Sequence, residues 1–312
     1  MNLGYACINM ELSNRKGKDK ITTNRSMIKK TFHDKGVDYA SELVLQNVSD
    51  LCEIIKWNEQ NNIKFFRLSS EVFPWASEYY QDWGKFPNID EITNILRDCG
   101  DLANKYGHRI TSHPGPFNVL VSPNEDVVQN TITDLTIHGD IFDFMGLSRT
   151  PYNKLNIHCN GVYGDKESAM DRFCKNFERL PESVQTRLTV ENDDKASMYS
   201  VKDLYEGIHK RIGIPIVFDY HHYKFNTGEQ TEQEALELAL STWGDIKPVV
   251  HYSESRSEEQ LDETIKPQAH SDLIKQLPNT YGHDVDIMVE AKHKELSIKK
   301  FTKGVRNELS WN

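Results

Sequence analysis

The chain has 312 residues, 38% hydrophobic and 27% charged, which suits a large packed core and leaves no apolar run long enough to cross a membrane. Its formal net charge is −10, which excludes broad electrostatic adhesion to a polyanion and leaves phosphate binding to local basic groups or bound cations. The five cysteines (Cys7, Cys52, Cys99, Cys159, Cys174) are odd in number with no CxxC pair, so reduced thiols and no zinc knuckle are expected. Met1-Asn2-Leu3-Gly4-Tyr5 lacks the basic and apolar regions of a secretory leader, so the expectation is a soluble intracellular protein, cytoplasmic or nuclear.

Along the chain, short apolar runs with polar ends alternate with amphipathic stretches. The run Leu3–Asn9 comes first. Ser41–Asn61 follows, with Leu43, Val44, Val48, Leu51, Ile54 and Ile55 at helical spacing. Phe65–Ser69 precedes the helical pattern Ile89–Tyr106, which Gly107 is placed to cap. Arg109–His113 precedes Pro123–Gly146, where Pro123 and the acids Glu125 and Asp126 mark a helix start. Leu155–His158 leads to Lys166–Leu180, Leu188–Asn192 to Val201–Ile212 with Gly213 beyond it, and Ile214–Asp219 to Thr231–Leu240. Pro248–Tyr252 leads to Lys266–Leu277, and Val285–Ala291 is the eighth run. Eight such units predict a parallel α/β sheet. No GxGxxG follows the first run, so a closed (β/α)8 TIM barrel filling residues 1–312 as one domain is the economical reading, with a doubly wound sheet as competitor.

The ionisable residues fall where such a barrel converges. His113, His158, Glu191, Asp219, His251 and Glu290 end the third to eighth runs, and His222 lies three residues after Asp219. Their spacing is roughly 30–45 residues, about one βα unit, so strand ends far apart in sequence would meet at one mouth. Imidazoles mixed with carboxylates suit manganese, zinc or iron. Three acids gathered without cations would repel one another, so metal is the simplest way to hold Glu191, Asp219 and Glu290 together. Two or three ions can activate water, hold a phosphate and stabilise a leaving oxygen. Taken singly, each histidine has an ordinary structural reading; His33, His108, His138 and His209 are assigned that reading. His221 beside His222 points the other way if the chain is extended there, so only one of the two is expected to be a ligand.

These residues carry a resemblance. Leu3-Gly4-Tyr5, Thr22-Thr23-Asn24-Arg25, Ser112-His113-Pro114-Gly115, His158 with Gly161-Val162-Tyr163-Gly164-Asp165-Lys166, Glu191-Asn192-Asp193, Asp219-Tyr220-His221-His222 and Met288-Val289-Glu290-Ala291-Lys292 together resemble the UV-damage endonuclease family along nearly the whole chain. The resemblance implies a DNA-repair nuclease that cuts the duplex 5′ to cyclobutane dimers, 6-4 photoproducts and abasic sites after flipping the damaged dinucleotide out of the stack. It implies two to three divalent ions, manganese first and zinc, iron or magnesium as alternatives. Their ligands would be His113, His158, Glu191, Asp219, His222, His251, His270 and Glu290, with Glu191, Asp219 and Glu290 in the catalytic cluster. His270 enters by resemblance alone. Damaged double-stranded DNA is the implied partner, a monomer is expected, and no protein partner is implied.

Two departures from the family pattern stand out. Where the family wedges a Gln and a Tyr into the duplex, this chain has Pro116-Phe117; Phe117 can stack on bases and Pro116 can only wedge. Two residues before His251, where the family has a carboxylated lysine near the metals, this chain has Val249, with Lys247 two positions earlier. Tyr5, Asn9 and Arg67 are the remaining candidate DNA contacts, and barrel-core filling or ion pairing is their plain alternative; Arg25 and the run Lys292-His293-Lys294 read more readily as surface. A xylose-isomerase-like sugar isomerase or epimerase, or a non-catalytic lesion binder, are the rival functions. An exposed aromatic loop at Pro116-Phe117 would separate a duplex wedge from a closed sugar pocket.

Overall fold

Apolar runs that can be buried on both faces become the strands of a barrel in a computed structural model that describes residues 1–309, with side chains to Gly304. They are β1 (Leu3–Ala6), β2 (Phe65–Leu68), β3 (Arg109–Ser112), β4 (Leu155–Ile157), β5 (Leu188–Glu191), β6 (Ile216–Asp219), β7 (Val249–Tyr252) and β8 (Asp286–Val289). Each strand pairs in parallel with the next, and β8 pairs with β1, closing the barrel in sequence order. The fold is thus a (β/α)8 barrel, and the open-sheet alternative falls.

The helices form the outer layer: α1 (Lys29–Gln60), α2 (Ile89–Tyr106), α3 (Glu125–Phe144), α4 (Lys166–Phe177), α5 (Val201–Leu204, continued by a π-turn at Tyr205–His209 and Lys210–Ile212), α6 (Glu232–Leu240) and α7 (Lys294–Leu309). Their ends follow local chemistry. The Asn124 side chain accepts from Asp126 N to open α3, Thr231 and Glu234 form a reciprocal capping box on α6, and Gly107 closes α2 at φ +66°.

Three expectations are corrected. The first helix begins earlier, at Lys29, because a break at Gly36 (φ +69°) joins a polar turn to the amphipathic stretch. Lys266–Leu277 is not a helix. Its backbone N–H groups go to carboxylates instead of carbonyls one turn back: Glu259 accepts from Asp272 and Leu273, and Glu254 from Lys275 and Gln276. Ser255 and His270 meet there in an isolated antiparallel bridge, so the crossover after β7 has only Arg256–Gln260 as helix. Finally, Cys52 and Cys99 are joined as a disulfide, not left as free thiols. Packing of α1 against α2 brings their Cα atoms to 4.9 Å across 47 residues of sequence, a proximity no local spacing announces.

Alternation along the strands sends every second side chain into the barrel. At the floor, Arg109 of β3 reaches across to Asp286 of β8 (3.2 Å) and to the Lys247 carbonyl (2.8 Å), and its guanidinium lies over Tyr152. Lys247 Nζ also binds Asp286, at 3.2 Å, so that lysine belongs to the floor and does not approach the mouth. Above the floor, Ala6, Phe65, Val217, Val249 and Met288 pack together. Gly4 lies beside Phe65, where a Cβ would come within 2.5 Å of the ring. Above this apolar patch the inner face becomes ionisable again.

Removing Asp286 would strand a fully buried guanidinium. Breaking a buried pair from one side typically costs about 3–5 kcal/mol. Asp286→Ala is therefore expected to lower unfolding free energy by about that amount in urea titration, and a loss under about 1 kcal/mol would contradict the floor assignment.

Candidate metal centre

Glu191 ends β5 on the inner face, fully buried, and its carboxylate is the hub of the mouth. His113 Nε2 lies 3.3 Å from Glu191 Oε2, His251 Nδ1 3.1 Å and His158 Nε2 3.8 Å, while His222 Nδ1 lies 3.4 Å from Oε1. These imidazoles come from the ends of β3, β7 and β4 and from a one-turn helix, Tyr220–Tyr223, after β6. Asp219 and His251 are register partners on β6 and β7, which sets them side by side. Glu290, just past β8, lies 3.3 Å from His251 Nδ1 and is paired with Arg67.

Two groups of donor atoms could each surround an ion: His113, His158 and Glu191, and Glu191, Asp219 and His251, every set within 4.8 Å. Two buried polar atoms of the second group lack a hydrogen-bond partner, Asp219 Oδ2 and His251 Nδ1. Buried polar atoms are normally satisfied, so unsatisfied donors and acceptors gathered in one place fit a cation site.

Charge tells the same story. Burial would raise the Glu191 carboxyl, but His251, His158 and His113 hold it well below the usual carboxylate range. Burial, with Glu191 and Glu290 adding repulsion, pushes Asp219 up to about 6 against the pull of His222. Burial would lower His222, yet Asp219, Glu191 and Glu290 raise it to about 9. Protons thus stand in for missing positive charge among these acids.

The structure brings together eight residues singled out in the sequence: His113, His158, Glu191, Asp219, His222, His251, Glu290 and His270. His270 joins at the edge, its Nε2 4.0 Å from Glu290 Oε2 and its Nδ1 2.6 Å from the Ser253 hydroxyl. It rides on the irregular segment misread as a helix, which is why strand spacing could not find it. His221 lies on a helical turn and not an extended chain, forms no ion pair with Glu191 among the described residues, and is buried with its ring 5.4 Å from His270.

The candidate DNA contacts divide. Phe117 is 85% exposed beside exposed Pro116, on a loop braced by Asn118, whose amide donates to Gly115 O (3.0 Å) and Asp134 (2.8 Å). Tyr5 and Asn9 do not reach the rim. Tyr5 is fully buried on the outer face of β1, its hydroxyl donating to Asn58 of α1 (2.7 Å) and accepting from Asn9 (2.9 Å). The two have the core-filling role given above as their alternative. The Arg67 guanidinium is committed to Glu290, inside the mouth and not on its surface. Arg25 pairs with Asp50 at 2.7 Å.

Sequence reading missed three inner-face residues, Asn156, Thr189 and Lys154. Asn156 of β4 donates to Glu191, and Thr189 of β5 donates to Asn156 Oδ1 at 2.7 Å, which orients the hub carboxylate. Lys154, just before β4, is fully buried and reaches His251 Nε2 at 3.2 Å. Burial pushes its ammonium down to about 7, with Glu191 pulling the other way. The signal was present: counting back by two from His158 gives Asn156 and Lys154.

Comparison with known proteins gives one family. Residues 1–310 match the family model described as UV-endonuclease UvdE. The UV-damage endonuclease of Schizosaccharomyces pombe is 36% identical over 306 residues, 95% of this chain; the chain spans about half of that relative's length (49%). A UV DNA damage endonuclease of Bacillus cereus is 33% identical over 287 residues, covering 89% of this chain and 86% of the relative. The crystal structure of SacUVDE superposes with a TM-score of 0.83 at 31% identity over 99% of both chains. A D-tagatose 3-epimerase-like protein shares the fold at a TM-score of 0.54 and 12% identity, over 99% of this chain and all of that one (100%).

Burial, with His270 adding repulsion, lowers His221 from 6.5 to about 4. It is neutral in the fold and takes up a proton on unfolding below 6.5, so the stability tied to it is fully present above about pH 6.5 and is lost as pH falls to about 4. Thermal melts of EDTA-treated protein from pH 7 to 4 are expected to fall less steeply for His221→Phe than for the parent chain. Identical slopes would contradict the assignment.

Proposed function

Because the chain belongs to the UV-endonuclease UvdE family, we propose that it is a DNA-repair endonuclease that cuts damaged duplex 5′ to UV photolesions, cyclobutane dimers and 6-4 photoproducts, and also at abasic sites. The observation that carries the reading is a buried carboxylate, Glu191, ringed by four imidazoles at an open mouth, with a bare aromatic ring on the adjoining loop. The proposed ligands are His113, His158, Glu191, Asp219, His222, His251, His270 and Glu290, holding two or three divalent ions, manganese first. When bound, such ions supply water activation and charge neutralisation at the scissile phosphate.

The chain's own residues do the rest. Glu191 is oriented by Asn156 and shares its charge among several imidazoles, so that its carboxylate would be held in place to receive a cation. The Nδ1–H of His222 donates to the Asn192 carbonyl at 2.9 Å, which leaves Nε2 as its ligand atom. Arg67 balances Glu290 from the β2 side. Phe117 offers a flat apolar face to stack where flipped bases have left a gap, and Pro116 stiffens its approach. An aromatic ring this exposed suits a duplex and serves no closed sugar pocket, so the epimerase reading is not retained.

The test is nicking of ultraviolet-irradiated supercoiled plasmid with Mn²⁺. The parent chain is expected to nick irradiated plasmid and spare unirradiated plasmid; equal cutting of both, or none, would overturn the proposal. His158→Ala and Glu290→Ala are expected to lose more than about a hundredfold in nicking rate, since even residues that only support a ligand cost 10–100-fold. Full-rate cutting by either would remove it from the site. Phe117→Ala is expected to weaken binding to lesion-bearing duplex by about 1–3 kcal/mol, the usual worth of one stacked base, and to leave undamaged duplex nearly unaffected. Equal losses on both, read by fluorescence anisotropy, would contradict the wedge.

A further inference from the structure

Five imidazoles face the acids of the mouth, and each has a partner behind it. For three of them the partner is an oxygen at Nδ1, on the side away from the acids: the Pro114 carbonyl behind His113 (3.2 Å), the Asp193 carboxylate behind His158 (3.2 Å) and the Ser253 hydroxyl behind His270 (2.6 Å), while His222 Nδ1 lies between Glu191 Oε1 (3.4 Å) and the Asn192 carbonyl (2.9 Å). His251 is the reverse. Its Nδ1 faces Glu191 and Glu290, at 3.1 and 3.3 Å, and what stands behind Nε2 is the nitrogen of Lys154, at 3.2 Å.

The support has to come from elsewhere because strand β7 offers none. Val249, two residues before His251 on the same inner face, has no polar atom and packs with Phe65, Val217 and Met288. Lys154 enters the barrel from the β4 side, four residues before His158, with no exposed surface. Among the described residues, its one side-chain hydrogen-bond contact is His251. An imidazole with nothing fixed behind it can turn about its Cβ–Cγ bond, and Nδ1 would then leave the carboxylates.

We propose that Lys154 is a positioning residue of this centre: its free amine accepts from the His251 Nε2–H and so keeps the Nδ1 lone pair turned toward Glu191 and Glu290. The inference rests on the metal reading given above. A side chain that supports a ligand in this way typically controls metal affinity by 10–100-fold without touching the ion.

The experiment is calorimetric titration of MnCl₂ into the full chain after EDTA treatment and dialysis, for the parent, Lys154→Met, His251→Ala and the double variant. Lys154→Met is expected to weaken Mn²⁺ binding by roughly 10–100-fold while the metal-free melting temperature does not fall. In the His251→Ala background the same substitution is expected to change nothing, because the ring it supports is gone. Parent-like affinity in Lys154→Met, or an equal loss with and without His251, would overturn the proposal. If Lys154→Met gives no cooperative melt, Lys154→Gln takes its place in the same cycle and is scored the same way. No Mn²⁺ binding by the parent chain would overturn the metal centre itself, whereas parent binding with an unaffected Lys154→Met variant overturns only the role of Lys154.

Discussion

A carboxylate buried out of reach of water must find positive charge, and Glu191 is surrounded by groups that supply it. His113, His158, His222 and His251 approach it from four different barrel segments, all within 3.8 Å. Asn156 and, through it, Thr189 fix its plane. The price of burying an anion is met only if all these strand ends stay in register, so the site and the closure of the barrel depend on each other. The neighbouring acids show what remains unbalanced. Asp219 and His222 are both driven toward their protonated forms, the shared direction expected when acids outnumber cations in a confined space.

That excess reconciles a net charge of −10 with a phosphate-bearing substrate. Part of the negative charge sits inside the barrel mouth, where divalent ions would reverse its sign at the point of chemistry. The interior basic groups are distributed by depth: Arg109 and Lys247 hold Asp286 at the floor, Lys154 stands behind His251, and Arg67 pairs with Glu290 at the top. In the proposed reading, contact with the duplex outside the centre falls to the loop after β3, whose exposed Phe117 needs no positive charge to stack.

Much of this was legible in the sequence because barrel geometry is periodic. Continuous apolar runs marked the strands, and a polar residue at the end of each marked the mouth, so His113, His158, Glu191, Asp219, His251 and Glu290 could be gathered without coordinates. What periodicity does not encode was missed or misplaced. His270 lies on a segment pinned by Glu254 and Glu259, whose hydrogen bonds are non-local. The Cys52–Cys99 bond depends on how two helices pack. Tyr5 was a candidate DNA contact with core filling as its alternative, and strand alternation turns it outward, to Asn58, while Gly4 and Ala6 face the barrel interior. Lys154 and Asn156 were readable from alternation below His158, yet their significance appears only once the barrel closes and sets β4 opposite His251 and beside Glu191.

The central claim is that the acids and imidazoles around Glu191 are held together by shared divalent cations. Anomalous diffraction collected on either side of the manganese absorption edge, from crystals grown with Mn²⁺, tests it most directly. The account predicts two or three anomalous peaks at bonding distance from Glu191 and its neighbouring imidazoles, and an empty mouth with peaks elsewhere would contradict it.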